Sequence, residues 1–192
     1  MKVDANIRSC QAAWKRMCEL SRDSSTRNFV QILDMSDYVV ETELFPAHVL
    51  DAYTAWNMEL EVSEEQQSLM TAALGGAQGD YRSAMRQKID NVVDCLTRFP
   101  QSKRAVIVTG NNPMASHGND NEAKCLRELH LYLDENGQLG GSVYFRAQAA
   151  SIFPKNIHLI GSIMTEVARR LPQTPALGEL FYVTTILVPD RS

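Results

Sequence analysis

Apolar residues recur at two spacings along this chain, and the switches between them mark its elements. Over residues 6–22, Ile7, Cys10, Trp14, Met17 and Cys18 fall near helical spacing and predict an amphipathic helix. Asp23, Ser24 and Ser25 end it. Phe29, Val30, Ile32, Leu33, Val39 and Val40 then flank a polar turn at 34–37, which predicts one or two strands. Pro46 opens a helix through HVLDAYTAWNMEL. Ser63, with Gln66 three residues on, forms a capping box for another helix through SEEQQSLMTAAL. Gly75, Gly76 and Gly79 make a flexible loop after it. Residues 81–99 give the clearest helix, with Met85, Ile89, Val92, Val93 and Leu96 on one face and Pro100 as its stop.

Beyond Pro100 the spacing shortens. SKRAVIVTG predicts a short strand with Lys103 and Arg104 at its mouth, and NNPMASHGNDNEA a polar loop. KCLRELHLYLDENGQLGGSVYF alternates, turns at Asn136 and Gly137, and alternates back, which predicts a hairpin. After Phe153 and Pro154 a third clear helix has Ile157, Ile160, Gly161, Met164, Val167 and Ala168 on its buried face, and Pro172 and Pro175 close it. LFYVTTILV is a strand by its β-branched content. Helices and strands mix without regular βαβ alternation. The expected architecture is therefore α+β, one domain over 1–192, with a mixed twisted sheet and flanking helices.

Composition narrows the class. The 192 residues suffice for one core. The net charge of −4 argues against a broad nucleic-acid partner, which needs a basic face. No apolar run approaches the length of a membrane span, and the charged N-terminus lacks a signal peptide's apolar stretch. A cytoplasmic location is expected. Cys10, Cys18, Cys95 and Cys125 show no CxxC spacing and read as unpaired thiols. His117 has no partner set at metal-ligand spacing.

The hairpin carries the candidate chemistry. It brings its two ends together, so Cys125 and Arg146 face one space. Lys124, Arg127 and Arg146 are placed to lower the thiol's pKa, and a thiolate is a soft nucleophile. A buried structural cysteine is the competing reading. Lys103, Arg104 and Arg146 suit a phosphate, Arg through paired hydrogen bonds; solvated strand-end charges are the alternative. Asn156 can donate to and accept from a ring, or cap a helix. His130 alternates within its strand.

Taken in order, MRQKIDNVVDCL, FPQSKRAVIVTGNNP, AKCLRELHLYLDENGQL, VYFRAQ and FPKNIHLIGSIM resemble thymidylate synthase, most closely over 86–163. The resemblance implies that Cys125 adds to C6 of a pyrimidine nucleotide, and that C5 then takes a methyl or hydroxymethyl unit. The implied donor is 5,10-methylenetetrahydrofolate. Arg146 would hold phosphate, Lys103 and Arg104 would reach it from the partner of a homodimer, and Asn156 would read the ring. His130 lies where the family often has a glutamine that touches the ring site. The implied dimer packs one sheet face on its copy, in keeping with apolar residues on both faces of the strands.

The sequence also departs from the family pattern. Lys124 stands for a proline before the cysteine, and Ala147 for the serine after the arginine. An expected Asp falls among residues 148–150, where there is none. The closing His-x-Tyr is missing from VTTILVPD, and the folate-closing tail is expected to be absent. Glu43, Glu59 and Glu61 are the candidate general acids. These losses keep two alternatives open: a divergent relative acting on another small substrate without folate, and a silent nucleotide-binding dimer.

Overall fold

The structure is a computed structural model that describes residues 4–70, 79–110 and 124–189. Its strands are β1 (Asp4–Ser9), β2 (Thr26–Asp34), β3 (Val106–Val108), β4 (Leu126–Leu133), β5 (Leu139–Phe145), β6 (Gln148–Ala149) and β7 (Leu177–Val188). Its helices are α1 (Cys10–Ser21), α2 (Ala47–Asn57), α3 (Glu64–Ser68), α4 (Met85–Arg98) and α5 (Phe153–Arg170). The strands form one open mixed sheet in the order β1-β2-β7-β5-β4-β3, with β6 paired to β7. β1 runs parallel to β2, and β5 and β6 parallel to β7; the other neighbours are antiparallel.

The register gives the sheet two faces. Leu129, Val143, Tyr182 and Gln31 lie in one row across β4, β5, β7 and β2, with Leu131, Gly141, Leu180 and Leu33 in another of the same parity. Leu129, Val143, Leu180 and Tyr182 share one hydrophobic cluster with residues of α1, α2, α4 and α5. Rows of the opposite parity hold His130, Ser142, Phe181 and Ile32, and Glu128, Tyr144, Val183 and Val30. That face is less covered: Tyr144 is 42% exposed, Val108 44%, and Phe181, Val183 and Ile32 are half-buried.

The hairpin forms as its turn chemistry dictates. Gly137 takes the left-handed φ of +75° that a side chain disfavours. The Asp134 carboxylate accepts from the N–H groups of Asn136 and Gln138 at 2.9 and 2.8 Å. The capping box at Ser63 and Gln66 is present, with bonds of 3.1 and 2.9 Å, and opens the short α3. Residues 71–74 of the helix expected there, Gly75, Gly76 and His117 lie outside the described residues. α4 buries Met85, Ile89, Val92 and Leu96, and leaves Val93 half-buried.

Two expectations change. The first helix begins at Cys10, because residues 4–9 extend as β1 along β2. Residues 38–40 form no strand, although Val39 and Val40 are β-branched. β2 is already paired on both edges, with β1 and β7, so no edge was left for them. Val40 is buried in the core instead, and Val39 is 43% exposed.

Candidate functional site

Cys125 precedes β4, and Arg146 follows β5. The Arg146 N–H donates to the Cys125 carbonyl at 2.9 Å, so the ladder of the hairpin continues between the two residues. Cys125 is half-buried and packs against the core, while Arg146 is exposed. The charge of Arg146 is felt at Tyr81, which places the guanidinium on the same side as the thiol's neighbours.

Those neighbours are set by α2 and the segment before α4. The Tyr81 hydroxyl accepts from the Leu126 N–H at 3.3 Å. Asn57, fully buried at the end of α2, ties the two segments together. Its Oδ1 accepts from the Tyr81 N–H at 2.6 Å, and its Nδ2 donates to the Tyr53 carbonyl at 3.0 Å. The Tyr53 hydroxyl donates to the Gly79 carbonyl at 2.8 Å. Over the Tyr53 ring, 4.5 Å from its centre, sits the Nζ of Lys155, a side chain only 1% exposed. Gly79 makes room for it: a Cβ there would fall 2.6 Å from Nζ.

Lys155 and Asn156 come from the first turn of α5, which starts on Phe153 and Pro154. A proline has no N–H to lose at that position. Asn156 Nδ2 donates to Gln148 Oε1 at 3.0 Å, and the Tyr182 hydroxyl donates to the same oxygen at 2.8 Å. Asn156 is 3% exposed, and its Oδ1 is buried with no hydrogen-bond partner among the described residues. An orphan acceptor inside a protein is costly and suits a donor brought by a ligand.

The electrostatics follow from burial. Burial, the larger effect, lowers the Lys155 pKa and the charge of Cys125 raises it, leaving it at about 7. Tyr53 is held well above the ordinary phenol value by burial first, then by the charges of Tyr81, Asp80 and Cys125. Burial and Cys125 raise Tyr81, against the hydrogen bond from Leu126 and the charge of Arg146. Burial, Tyr81 and Cys125 raise Tyr182. All three phenols are therefore neutral donors at physiological pH, gathered where the charge of Cys125 reaches them. Cys10 is a different kind of cysteine. Burial, then Asp34 and Asp37, push its thiol up to about 12.

The structure thus brings Cys125, Arg146 and Asn156 to one region. It does not bring Lys103, Arg104 or His130 there within one chain. Lys103 and Arg104 are exposed ahead of β3, where Ala105 accepts from the Leu131 N–H. Leu131 lies six residues along the chain from Cys125, about 20 Å at the rise of a strand. His130 sits mid-strand between Val106 and Ser142, on the less covered face, with its Nε2 buried and unpartnered among the described residues. Of the candidate acids, Glu59 accepts from the Arg86 N–H at 3.0 Å and so caps α4, whereas Glu43 and Glu61 are exposed. Reasoning from sequence passed over Lys155, Tyr53, Gln148 and Tyr182. One signal for Lys155 was present: it is the only charged residue between Arg146 and Glu166.

A cavity of about 300 Å³ lies elsewhere, between α2 and α5, lined in part by Tyr38, Asp51, Thr54, His158 and Glu166. There His158 Nδ1 and Thr54 Oγ1 share a 2.7 Å hydrogen bond, and Asp51 stands 3.7 Å from Nε2. No described helix is long and apolar enough to cross a membrane. No protein-family model matches the sequence, and a search of curated proteins returned no significant match.

Proposed function

We propose that the protein is a thymidylate synthase-like enzyme that adds Cys125 to C6 of a pyrimidine nucleotide. The single observation that carries this reading is the grouping of Cys125, the adjoining Arg146 and the orphan acceptor of Asn156. In the reaction the thiolate forms an Sγ–C6 bond and the C5=C6 π electrons move onto C5 and the ring carbonyl. C5 then attacks a one-carbon electrophile and loses its proton, and the Sγ–C6 bond breaks as the ring double bond reforms. Arg146 holds the phosphate, and Asn156 Oδ1 accepts from a ring N–H.

Lys103 and Arg104 join this reading only through a second copy, because a single chain holds them at the far end of β4. A homodimer packed on the face of Tyr144, Phe181 and Val183 is part of the proposal. It is favoured by the exposed Tyr144 and Val108 and the half-buried Phe181 and Val183 of that face, and by the orphan Nε2 of His130 within it.

No step is routed through 5,10-methylenetetrahydrofolate. The buried ammonium of Lys155 favours the second reading, a relative acting on a different small electrophile, since it adds a buried cation that a neutral pyrimidine ring does not need.

The test needs no donor. C6 addition makes the C5 hydrogen exchange with solvent, so proton NMR in D2O follows it directly. dUMP, UMP or CMP is expected to lose its C5 proton signal with the wild type and to keep it with Cys125→Ser. Binding without exchange, for every one of these nucleotides, refutes the covalent reading.

A further inference from the structure

We propose that the cavity between α2 and α5 is a second catalytic site, an esterase centre for small neutral esters, in which Thr54 is the nucleophile, His158 its general base and Asp51 a positioning residue. The site is independent of the pyrimidine reading: Cys125, Tyr53, Lys155 and Asn156 are not among the residues that line the cavity.

A threonine inside a helix commonly turns its hydroxyl to a carbonyl of its own helix, one turn back. That of Thr54 crosses from α2 to α5 instead and meets His158 Nδ1 at 2.7 Å. Both residues are buried, each 7% exposed, and both line the cavity. The other ring nitrogen, Nε2, faces the Asp51 carboxylate at 3.7 Å. A carboxylate only accepts, so it favours the proton on Nε2. Nδ1 is then the acceptor, and the hydroxyl donates to it. Hydroxyl to imidazole and imidazole to carboxylate is the order that activates an alcohol. Burial lowers the His158 pKa, against the charge of Asp51, so the ring is neutral at physiological pH and free to take a proton. Asp51 is exposed, and an arm of this kind commonly tightens only when substrate binds.

The walls select the substrate. At about 300 Å³ the cavity is at the small end for ligand pockets, and Ala55, Met58 and Leu60 give it an apolar side that suits a short acyl chain. Gly161 leaves room for the Tyr38 ring, which stands edge-on to His158 with the ring centres 5.8 Å apart. The Tyr38 hydroxyl accepts from Thr165 Oγ1 at 3.3 Å, so its own proton can go to an oxyanion. Glu166 also lines the cavity, but Arg169 holds both its carboxylate oxygens, at 2.9 and 3.0 Å. Among the described residues no lysine or arginine lines the cavity, which disfavours an anionic substrate.

In the reaction Thr54 Oγ forms a bond to the ester carbonyl carbon, the C=O π electrons move onto the carbonyl oxygen, and His158 Nδ1 takes the hydroxyl proton. The C=O bond then reforms, the bond to the alcohol oxygen breaks, and His158 returns the proton to that oxygen. Water attacks the acyl-Thr54 in the same way, which releases the acid and restores the hydroxyl.

The test uses the full chain, diisopropyl fluorophosphate and peptide mapping by mass spectrometry, with p-nitrophenyl butyrate hydrolysis read in parallel. In the labelling, Thr54 Oγ bonds to phosphorus, fluoride leaves and His158 takes the proton. The wild type is expected to hydrolyse the butyrate ester, to take the label on Thr54 and to lose hydrolysis as the label accumulates. Thr54→Val should lose the label and Thr54→Ser keep it. His158→Gln should slow labelling about a hundredfold or more, the scale of general-base catalysis. Asp51→Asn should slow it, and Asp51→Glu should restore it. A merely structural tie between the two helices leaves Thr54 unlabelled in the folded wild type, which overturns the proposal. So does a wild type that does not hydrolyse the ester, or a folded His158→Gln labelled at the wild-type rate. Should His158→Gln fail to fold, the wild type alone decides: label on Thr54 with loss of hydrolysis upholds the site, and its absence refutes it. Neither result bears on C5 exchange, which runs through Cys125.

Discussion

Gln148 and Asn156 are joined by a 3.0 Å hydrogen bond in which a single side-chain oxygen of Gln148 also accepts from the Tyr182 hydroxyl. One acceptor therefore satisfies two buried donors, and it orients Asn156 so that its Oδ1 is the atom left over. Gln148→Leu strands both donors. Each costs about 1–3 kcal/mol, so a loss of about 2–6 kcal/mol is expected in urea unfolding. Gln148→Glu keeps the acceptor and should lose less. Equal stability of Gln148→Leu and wild type would show that the donors find other partners.

Stability should depend on pH through Lys155. Folded, its ammonium gives up a proton at about 7, because burial lowers it more than the charge of Cys125 raises it. Unfolded, a lysine does so at about 10.4. The unfolded chain thus holds more protons between those two values. Stability rises with pH through that window and falls as pH drops toward 7, with a limiting slope of about 1.4 kcal/mol per pH unit. Lys155→Met should abolish the slope and add about 2 kcal/mol or more near neutral pH, by removing a buried charge. Denaturant melts in steps across the window measure both effects.

The cavity between α2 and α5 has its own titration. His158 is lowered by burial, which Asp51 partly opposes. Its folded pKa lies below the unfolded value, so its contribution is complete above about 6.5 and is lost as pH falls through the folded value. Thr54→Val leaves His158 Nδ1 without its 2.7 Å partner and should cost about 1–3 kcal/mol. His158→Gln should flatten the acid limb of the stability profile, while the neutral limb set by Lys155 persists.

Arg146→Ala should weaken nucleotide binding by about 1.5–3 kcal/mol, the range for a charge-assisted hydrogen bond, and Arg146→Lys should recover only part of it. Calorimetry with dUMP, UMP, CMP and the matching nucleosides measures the phosphate's share. Nucleosides that bind as tightly as nucleotides would remove Arg146 from the site.

Association is expected through the less covered sheet face. Light scattering should give twice the 21.5 kDa chain mass at micromolar concentration, and Phe181→Lys should reduce it to one chain. A wild type that scatters as a single chain under those conditions would separate Lys103 and Arg104 from the phosphate.

What could be read from the sequence was what local chemistry decides. Asn136 and Gly137 announce the hairpin because that turn needs a left-handed residue, and Met85, Ile89, Val92 and Leu96 announce α4 by spacing alone. β1 was hidden because Ile7 fits the helical spacing of Cys10 and Trp14, while its strand identity depends on a parallel partner beyond α1. Residues 38–40 misled for the converse reason: β-branched content reports a fit to a sheet, not whether an edge is free. In the site, Cys125, Arg146 and Asn156 could be picked out because they lie on one hairpin and the helix after it. Lys155 escaped because a lysine in a first turn is usually solvated, and Tyr53 and Gly79, which enclose it, lie 102 and 76 residues upstream.

The hydrogen bond from Arg146 to the Cys125 carbonyl has a consequence for how the protein comes apart. β4 and β5 are interior strands, each paired on both sides, so the backbone that places the thiol is part of the last structure to open. Amide exchange at Arg146 should then be as slow as in the middle of β5, and the alkylation rate of Cys125 should change in the same transition as the sheet rather than before it. Partial denaturation would leave two populations, one folded and one unfolded, each with its own thiol rate and with no intermediate between them.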